Sequence, residues 1–277
     1  MEKLQAALAK ARAQRDGKPT QRVGRPEKSA RRKSKMLDEE EAQSEFRMNN
    51  APFAPAERRL KQARIVASDP TNEATHFDIL RTKLLLEARQ NGWTRIAITS
   101  AAAASGKTTM ACNLIAGFGR QPEVRGMLFD FDLRRPSVAK FFGAEPPASV
   151  ADVLDGTATF EEQALRLHPN TIVSVATTHV RDPSRLLQRQ GAIDVIDDIQ
   201  AVYQPNIMLF DLPPVLVSDE ARALLKLVDA VLIVAAADAT SLAQIDECER
   251  EVSEYSNVAG VVLNKCRHLE DGYNYSY

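Results

Sequence analysis

From Arg95 to Cys266 the chain repeats one pattern, a short aliphatic or β-branched run followed by a helical stretch. RIAITS leads into KTTMACNLIAGFG, GMLFDFD into a loop and SVADVLDG, and TIVSVAT into SRLLQRQGAIDVIDDIQAVY. NIMLFDLPP then leads into ARALLKLV, AVLIVAA into SLAQIDECEREVSEY, and VAGVVLNKC closes the series. The runs are continuously apolar, as strands buried on both faces are. Strands that alternate with helices predict an α/β fold: a mostly parallel, doubly wound sheet with helices on both faces. Ligands in such folds bind at the C-terminal ends of the strands, so those ends are where chemistry is to be sought.

Upstream, TNEATHFDILRTKLLLEARQNG reads as a helix with Phe77, Leu80, Leu84 and Leu85 on one face, closed by Asn91 and Gly92. Order is expected from about Pro70. Residues 16–69 are polar and broken by Pro19, Pro26, Pro52 and Pro55, which predicts a linker. MEKLQAALAKARAQR places Leu4, Ala7, Leu8 and Ala11 at helical spacing, and two readings stay open for it: a solvated tail, or a docking helix or membrane-surface contact. The expected division is a largely disordered arm over 1–69 with a possible short helix, the α/β domain over 70–267, and a flexible tail over 268–277.

The overall charge of −1 conceals an asymmetry: residues 1–35 hold twelve Lys or Arg against three acids, and DEEEAQSE follows at Asp38 to Glu45. A basic arm favours anionic partners. No recognition helix or interleaved aromatics accompany it, so no nucleic-acid partner is expected, and an anionic membrane surface accounts for the charge equally well. Three cysteines, Cys112, Cys248 and Cys266, are odd in number and not spaced as metal ligands, which fits a reducing compartment. The longest apolar runs, such as AVLIVAAADA, are too short to span a bilayer, and the N-terminus has no signal-peptide core. A cytoplasmic protein is expected.

The first run ends in AAAASGKTTMACNL, where Gly106, Lys107 and Thr108 match the end of the phosphate-loop pattern G-x-x-x-x-G-K-[ST] between a strand and a helix. Backbone N–H groups there would cradle phosphates, Lys107 would reach the β- and γ-phosphates, and the Thr108 hydroxyl would ligate Mg²⁺. The pattern's first glycine is replaced by Ala101, and alanine disfavours positive φ, so the loop is expected to bend without glycine before Gly106. The second run ends in Asp130 and Asp132, which a period of two puts on one side of the strand. Asp211 ends four apolar residues in NIMLFD, as a Walker B carboxylate does.

SGKTT, FDFDLRRP and LFDLPP, in that order, resemble the Walker A, A′ and B motifs of the bacterial tyrosine autokinases of capsule and exopolysaccharide biosynthesis. The similarity extends through SVADVLDGTATFEE, DPSRLL and VVLNK, from about Pro70 to Lys265, and includes the tyrosine-rich end; the opening MEKLQAALAKARAQRD also resembles the N-terminal segment of some polysaccharide-export autokinases. The resemblance implies an ATP-dependent protein-tyrosine kinase that uses ATP and Mg²⁺. Ser105, Gly106, Lys107, Thr108 and Thr109 would bind the nucleotide, with Asn264 near adenine. Thr108, Asp130 and Asp211 would organise the metal, and Asp132 would accept the proton of an attacking tyrosine. Arg134 or Arg135 would add positive charge near the phosphates. Implied too are assembly with further copies of the chain, a membrane partner of the polysaccharide chain-length-regulator type, and a location at the inner membrane through that partner.

Two departures accompany the resemblance. The family's Glu-x-x-Arg-x-x-Arg helix motif falls here on Thr75, Asp78 and Arg81, matching only at the last position, and the phosphate loop is filled with alanine. Two alternatives follow: a nucleotide-binding adaptor or degenerate kinase of the same machinery, or a partitioning-type ATPase. Against the second, the signature lysine of that class falls on Ala102.

The chain ends EDGYNYSY, with Tyr273, Tyr275 and Tyr277 at alternate positions among only five tyrosines. A tether of about nine residues beyond Asn264 could extend roughly 30 Å, enough to enter a neighbouring copy's site. The three phenols are the expected phosphoacceptors.

Overall fold

The computed structural model describes residues 50–266. The basic arm and the tyrosine cluster at 273–277 lie outside the described residues. Among the described residues eight strands form one sheet: β1 (Ala51–Pro52), β2 (Arg95–Thr99), β3 (Gly126–Asp130), β4 (Leu165–His168), β5 (Thr171–Ser174), β6 (Ile207–Asp211), β7 (Ala230–Ala236) and β8 (Asn257–Asn264). Their order is β1-β4-β5-β3-β6-β2-β7-β8, and every pairing is parallel except that of β4 with β5. The doubly wound, mostly parallel sheet expected from the sequence is what the chain forms.

Period-two alternation sorts the core into two layers. Met127 and Phe129 of β3, Met208 and Phe210 of β6, and Val231 and Ile233 of β7 enter one cluster; Leu128, Leu209 and Leu232 enter the other. Against the second layer lie α1 (Glu57–Ala63), α2 (Thr75–Asn91), α3 (Lys107–Gly119) and α4 (Val138–Phe142). The first is covered by α5 (Val150–Asp155), α6 (Phe160–Gln163), α7 (Pro183–Leu187), α8 (Gln190–Tyr203), α9 (Asp219–Leu225) and α10 (Leu242–Ser253). Phe129 stacks on Phe210 at 5.1 Å and on Phe160 at 5.9 Å, fixing β3 against β6 under the site.

Three features differ from expectation. Helix α1 and the buried Ile65 and Ala67 fall inside the stretch read as linker, so order begins earlier than Pro70. The cause is non-local: within α3, Asn113 Oδ1 accepts the N–H groups of Val66 (2.8 Å) and Ala67 (3.1 Å), while its Nδ2 donates to the Arg64 carbonyl at 2.9 Å. Second, the stretch from Ser184 to Tyr203 forms two helices, α7 and α8, interrupted at Gln188 and Arg189. Third, β4 is an added antiparallel strand with a register shift between Arg166 and His168, which erases the even pattern a sequence reading relies on.

Helix α2 bears on assembly. Arg81 is buried, donates from Nη1 to the Gly117 carbonyl at 2.8 Å and pairs with Asp78 Oδ1 at 3.1 Å; Asp78 also takes Arg120. The position that matches the family's assembly motif therefore ties α2 to α3 within the chain. Arg81→Ala should lower the unfolding free energy by about 2–3 kcal/mol in chemical denaturation, because it leaves the Gly117 carbonyl and Asp78 short of a donor.

Candidate active site

Strand β2 lies between β6 and β7, and beyond Thr99 the chain turns through residues 100–106 into α3. Hydroxyls shape the turn: Ser100 Oγ (2.7 Å) and Ser105 Oγ (3.0 Å) both donate to the Ala102 carbonyl, and Thr99 Oγ1 donates to the Pro213 carbonyl at 2.7 Å. Gly106 takes φ 96°, a conformation that favours glycine, and a Cβ there would sit 2.2 Å from Asn264 Nδ2 and displace that side chain. The alanine-rich loop bends at Ala104, which adopts φ 63° although it is not glycine. Left-handed residues in such a loop turn successive N–H groups inward as an anion-binding nest at a helix start.

Lys107 and Thr108 open α3 beneath this loop. Lys107 is buried, with Nζ 3.8 Å from Asp132 Oδ2. Thr108 Oγ1 donates to Asp211 Oδ2 at 2.6 Å and lies 3.1 Å from Ser137 Oγ. Asp130 and Asp211 are register partners at the ends of β3 and β6, and neither is exposed to solvent. Asp130 Oδ2 accepts the N–H groups of Ser137 and Val138, each at 3.0 Å. Yet Oδ1 of Asp130 and Oδ1 of Asp211 are both buried with no hydrogen-bond partner.

Two orphaned carboxylate oxygens at one place are expensive unless a cation meets them. Burial, then repulsion from Asp211, pushes the Asp130 carboxyl well above its ordinary range. Burial raises Asp211 to about 6, against the opposing pull of Lys107 and the Thr108 hydroxyl. Asp132 is raised as well, again by burial, with Lys107 holding it back. Among the described residues no group of three or more His, Cys, Asp or Glu forms a metal cage. An all-oxygen set of one or two carboxylates and a hydroxyl, completed by phosphates and water, is how Mg²⁺ is held, so these residues fit that ion.

Beside Lys107 and Asp132 opens a cavity of about 360 Å³ whose wall includes Ala103, Arg134, Pro213, Pro214 and Val217. Within that wall Arg134 Nε donates at 2.7 Å to Glu220, a buried carboxylate on α9. Arg135 contributes its N–H to Asp132 Oδ1 at 3.2 Å. The Thr109 carbonyl accepts Asn113 Nδ2 at 2.8 Å. Asn264 donates to the Ser105 carbonyl and accepts the Lys265 N–H, each at 2.9 Å, which leaves its amide one further N–H and one lone pair for another contact.

The structure thus gathers Ser105, Gly106, Lys107, Thr108, Asp130, Asp132, Asp211 and Asn264 around one loop. The sequence assigns no role to Ser137, Glu220 or Lys265, and of these only Lys265 lies in a segment of the family resemblance, VVLNK. Only the phosphate-loop register and the RRPS turn could have pointed to Ser137.

Parallel sheet, strand-loop-helix turn and acidic strand ends together define a P-loop NTPase-like α/β protein. No family model matches the chain. It is 28% identical over 204 residues to EpsB of Ralstonia nicotianae, provisionally named a tyrosine-protein kinase, an alignment covering 73% of this chain and 26% of EpsB. Over 222 residues it is 25% identical to the tyrosine-protein kinase YwqD of Bacillus subtilis, covering 78% of this chain and 92% of YwqD. Its fold matches the crystal structure of the VpsO kinase domain with a TM-score of 0.63 at 24% identity, over 76% of this chain and all of that one. The chain is thus similar in sequence and fold to proteins named bacterial tyrosine-protein kinases. It spans about a quarter of the length of the EpsB relative and nearly all of YwqD. No helix among the described residues is long and apolar enough to cross a membrane.

Proposed function

We propose that this protein is an ATP-dependent protein-tyrosine autokinase that phosphorylates its own C-terminal cluster, Tyr273, Tyr275 and Tyr277, and thereby regulates exopolysaccharide or capsule polymerisation or export. The observation that carries the reading is the pair of orphaned oxygens on Asp130 and Asp211 beside the Thr108 hydroxyl and the Lys107–Asp132 pair. Mg²⁺, when bound there with ATP, supplies charge neutralisation at the phosphates. Asp130, Asp211 and Thr108 would hold it, and the loop N–H groups with Lys107 would fix the β- and γ-phosphates. Asp132, raised by burial, would accept the phenol proton. The phenol oxygen would form its bond to the γ-phosphorus as the bond to the β-phosphate oxygen breaks and ADP leaves. Positioning and electrostatics supply most of this catalysis.

Acceptance of a tail from a neighbouring copy, a chain-length-regulator-type membrane partner and a position at the inner face of the membrane complete the proposal. The names and the shared fold of its relatives support it. Labelling with [γ-³²P]ATP tests it: label should appear with Mg²⁺ on wild type and fall to background when residues 273–277 are removed. Undiminished label on the shortened chain would overturn the acceptor assignment. Nucleotide binding without any transfer would turn the reading towards the adaptor.

A further inference from the structure

Two residues that are not glycine take left-handed backbone angles at the two ends of one hydrogen bond. Ala104, in the loop, has φ 63°, and Lys265, directly after β8, has φ 62°. Lys265 Nζ donates to the Ala104 carbonyl at 2.6 Å. One residue earlier, Asn264 Nδ2 donates to the Ser105 carbonyl at 2.9 Å. Two consecutive loop carbonyls are therefore held by two consecutive residues at the far end of the domain. Alanine disfavours this conformation, so a loop built on it needs a brace that glycine would not.

We propose that Lys265 is a positioning residue of the nucleotide site, holding Ala104 in its left-handed conformation so that the loop presents its N–H groups to phosphate. The proposal rests on the reading of residues 101–108 as a phosphate cradle. The C=O and N–H of one trans peptide point in opposite directions. Drawing the Ala104 and Ser105 carbonyls towards β8 aims the N–H groups of Ser105 and Gly106 the other way, into the turn above Lys107. A charged donor suits the Ala104 carbonyl, since bonds from an ammonium are about twice as strong as neutral ones.

Titration of the full-length chain with a fluorescent ADP analogue and Mg²⁺ tests this. Lys265→Met should weaken binding by about 10-fold, while the melting temperature of the nucleotide-free protein barely moves because the side chain is exposed. In an Ala104→Gly background the same lysine change should cost less than about 2-fold, because glycine adopts positive φ without help. Lys265→Met binding as tightly as wild type overturns the proposal. So does an equal loss in both backgrounds, which would place the ammonium on the nucleotide itself. If the wild type binds no nucleotide, the phosphate-cradle reading fails and takes this proposal with it; wild-type binding abolished by Lys107→Ala secures that reading whatever Lys265 does.

Discussion

Lys107→Met should cut phosphate transfer from ATP by about 10²–10³-fold, the scale on which losing one preorganised positive contact to transferring phosphate falls. Lys107 is nearly buried, and its side chain reaches Asp132 at 3.8 Å across the mouth of the cavity. Methionine keeps the stem's packing and removes only the charge. Asp132 would then lose its main opposing influence and rise further, shifting the residue assigned as proton acceptor towards its protonated form. Two defects follow from one substitution, weaker phosphate binding and a blunted base. Single-turnover labelling against pH separates them: the variant's rate should recover in part as pH rises. A variant within threefold of wild type would remove Lys107 from the site.

The second large effect concerns stability. Asp211 sits at about 6 in the fold against the ordinary 3.8. A carboxyl raised in this way binds its proton more tightly folded than unfolded, so its contribution to stability is fully present below the unfolded value and is lost as pH rises through the folded one. Asp130, raised by the same burial, acts in the same direction. Asp211→Asn should therefore stabilise the metal-free protein at about pH 7.5 by on the order of 2 kcal/mol, roughly 4–8 °C in melting temperature, and the advantage should vanish below about pH 4. Asparagine can still accept from Thr108, so that hydrogen bond survives. Melting curves of both proteins across this range, with and without Mg²⁺, supply the check. Mg²⁺ should raise the wild type alone, and a less stable variant at pH 7.5 would show that Asp211 is not held against its own charge.

The central strands and the acidic strand ends were legible because each is a local signal. Ile207 to Asp211 is an unbroken apolar run ending in a carboxylate, and a strand buried on both faces has no other way to look. The loop's bend was legible only as a problem: the sequence showed alanine where glycine is usual, not that Ala104 itself would take positive φ. Partners separated along the chain were not legible. Arg134, expected from LRRP to add charge near the phosphates, lines the cavity beside Lys107 but also bonds Glu220, 86 positions away, whose burial depends on how α9 packs. Helix α1 was hidden for a similar reason, since Asn113, an ordinary residue in an apolar helix, is what anchors the chain beyond it. The helix motif at Thr75, Asp78 and Arg81 was read as a weakened assembly device; the buried Arg81 gives its arginine a structural occupation.

The bond from Lys265 to Ala104 spans 161 positions and starts just beyond β8, the strand at the sheet's edge. During synthesis the loop lysine and all three aspartates leave the ribosome well before β8 does, so an emerging chain carries the acids without the brace. If Lys265 braces the loop as proposed, an emerging chain would hold nucleotide less tightly until the last strand has docked.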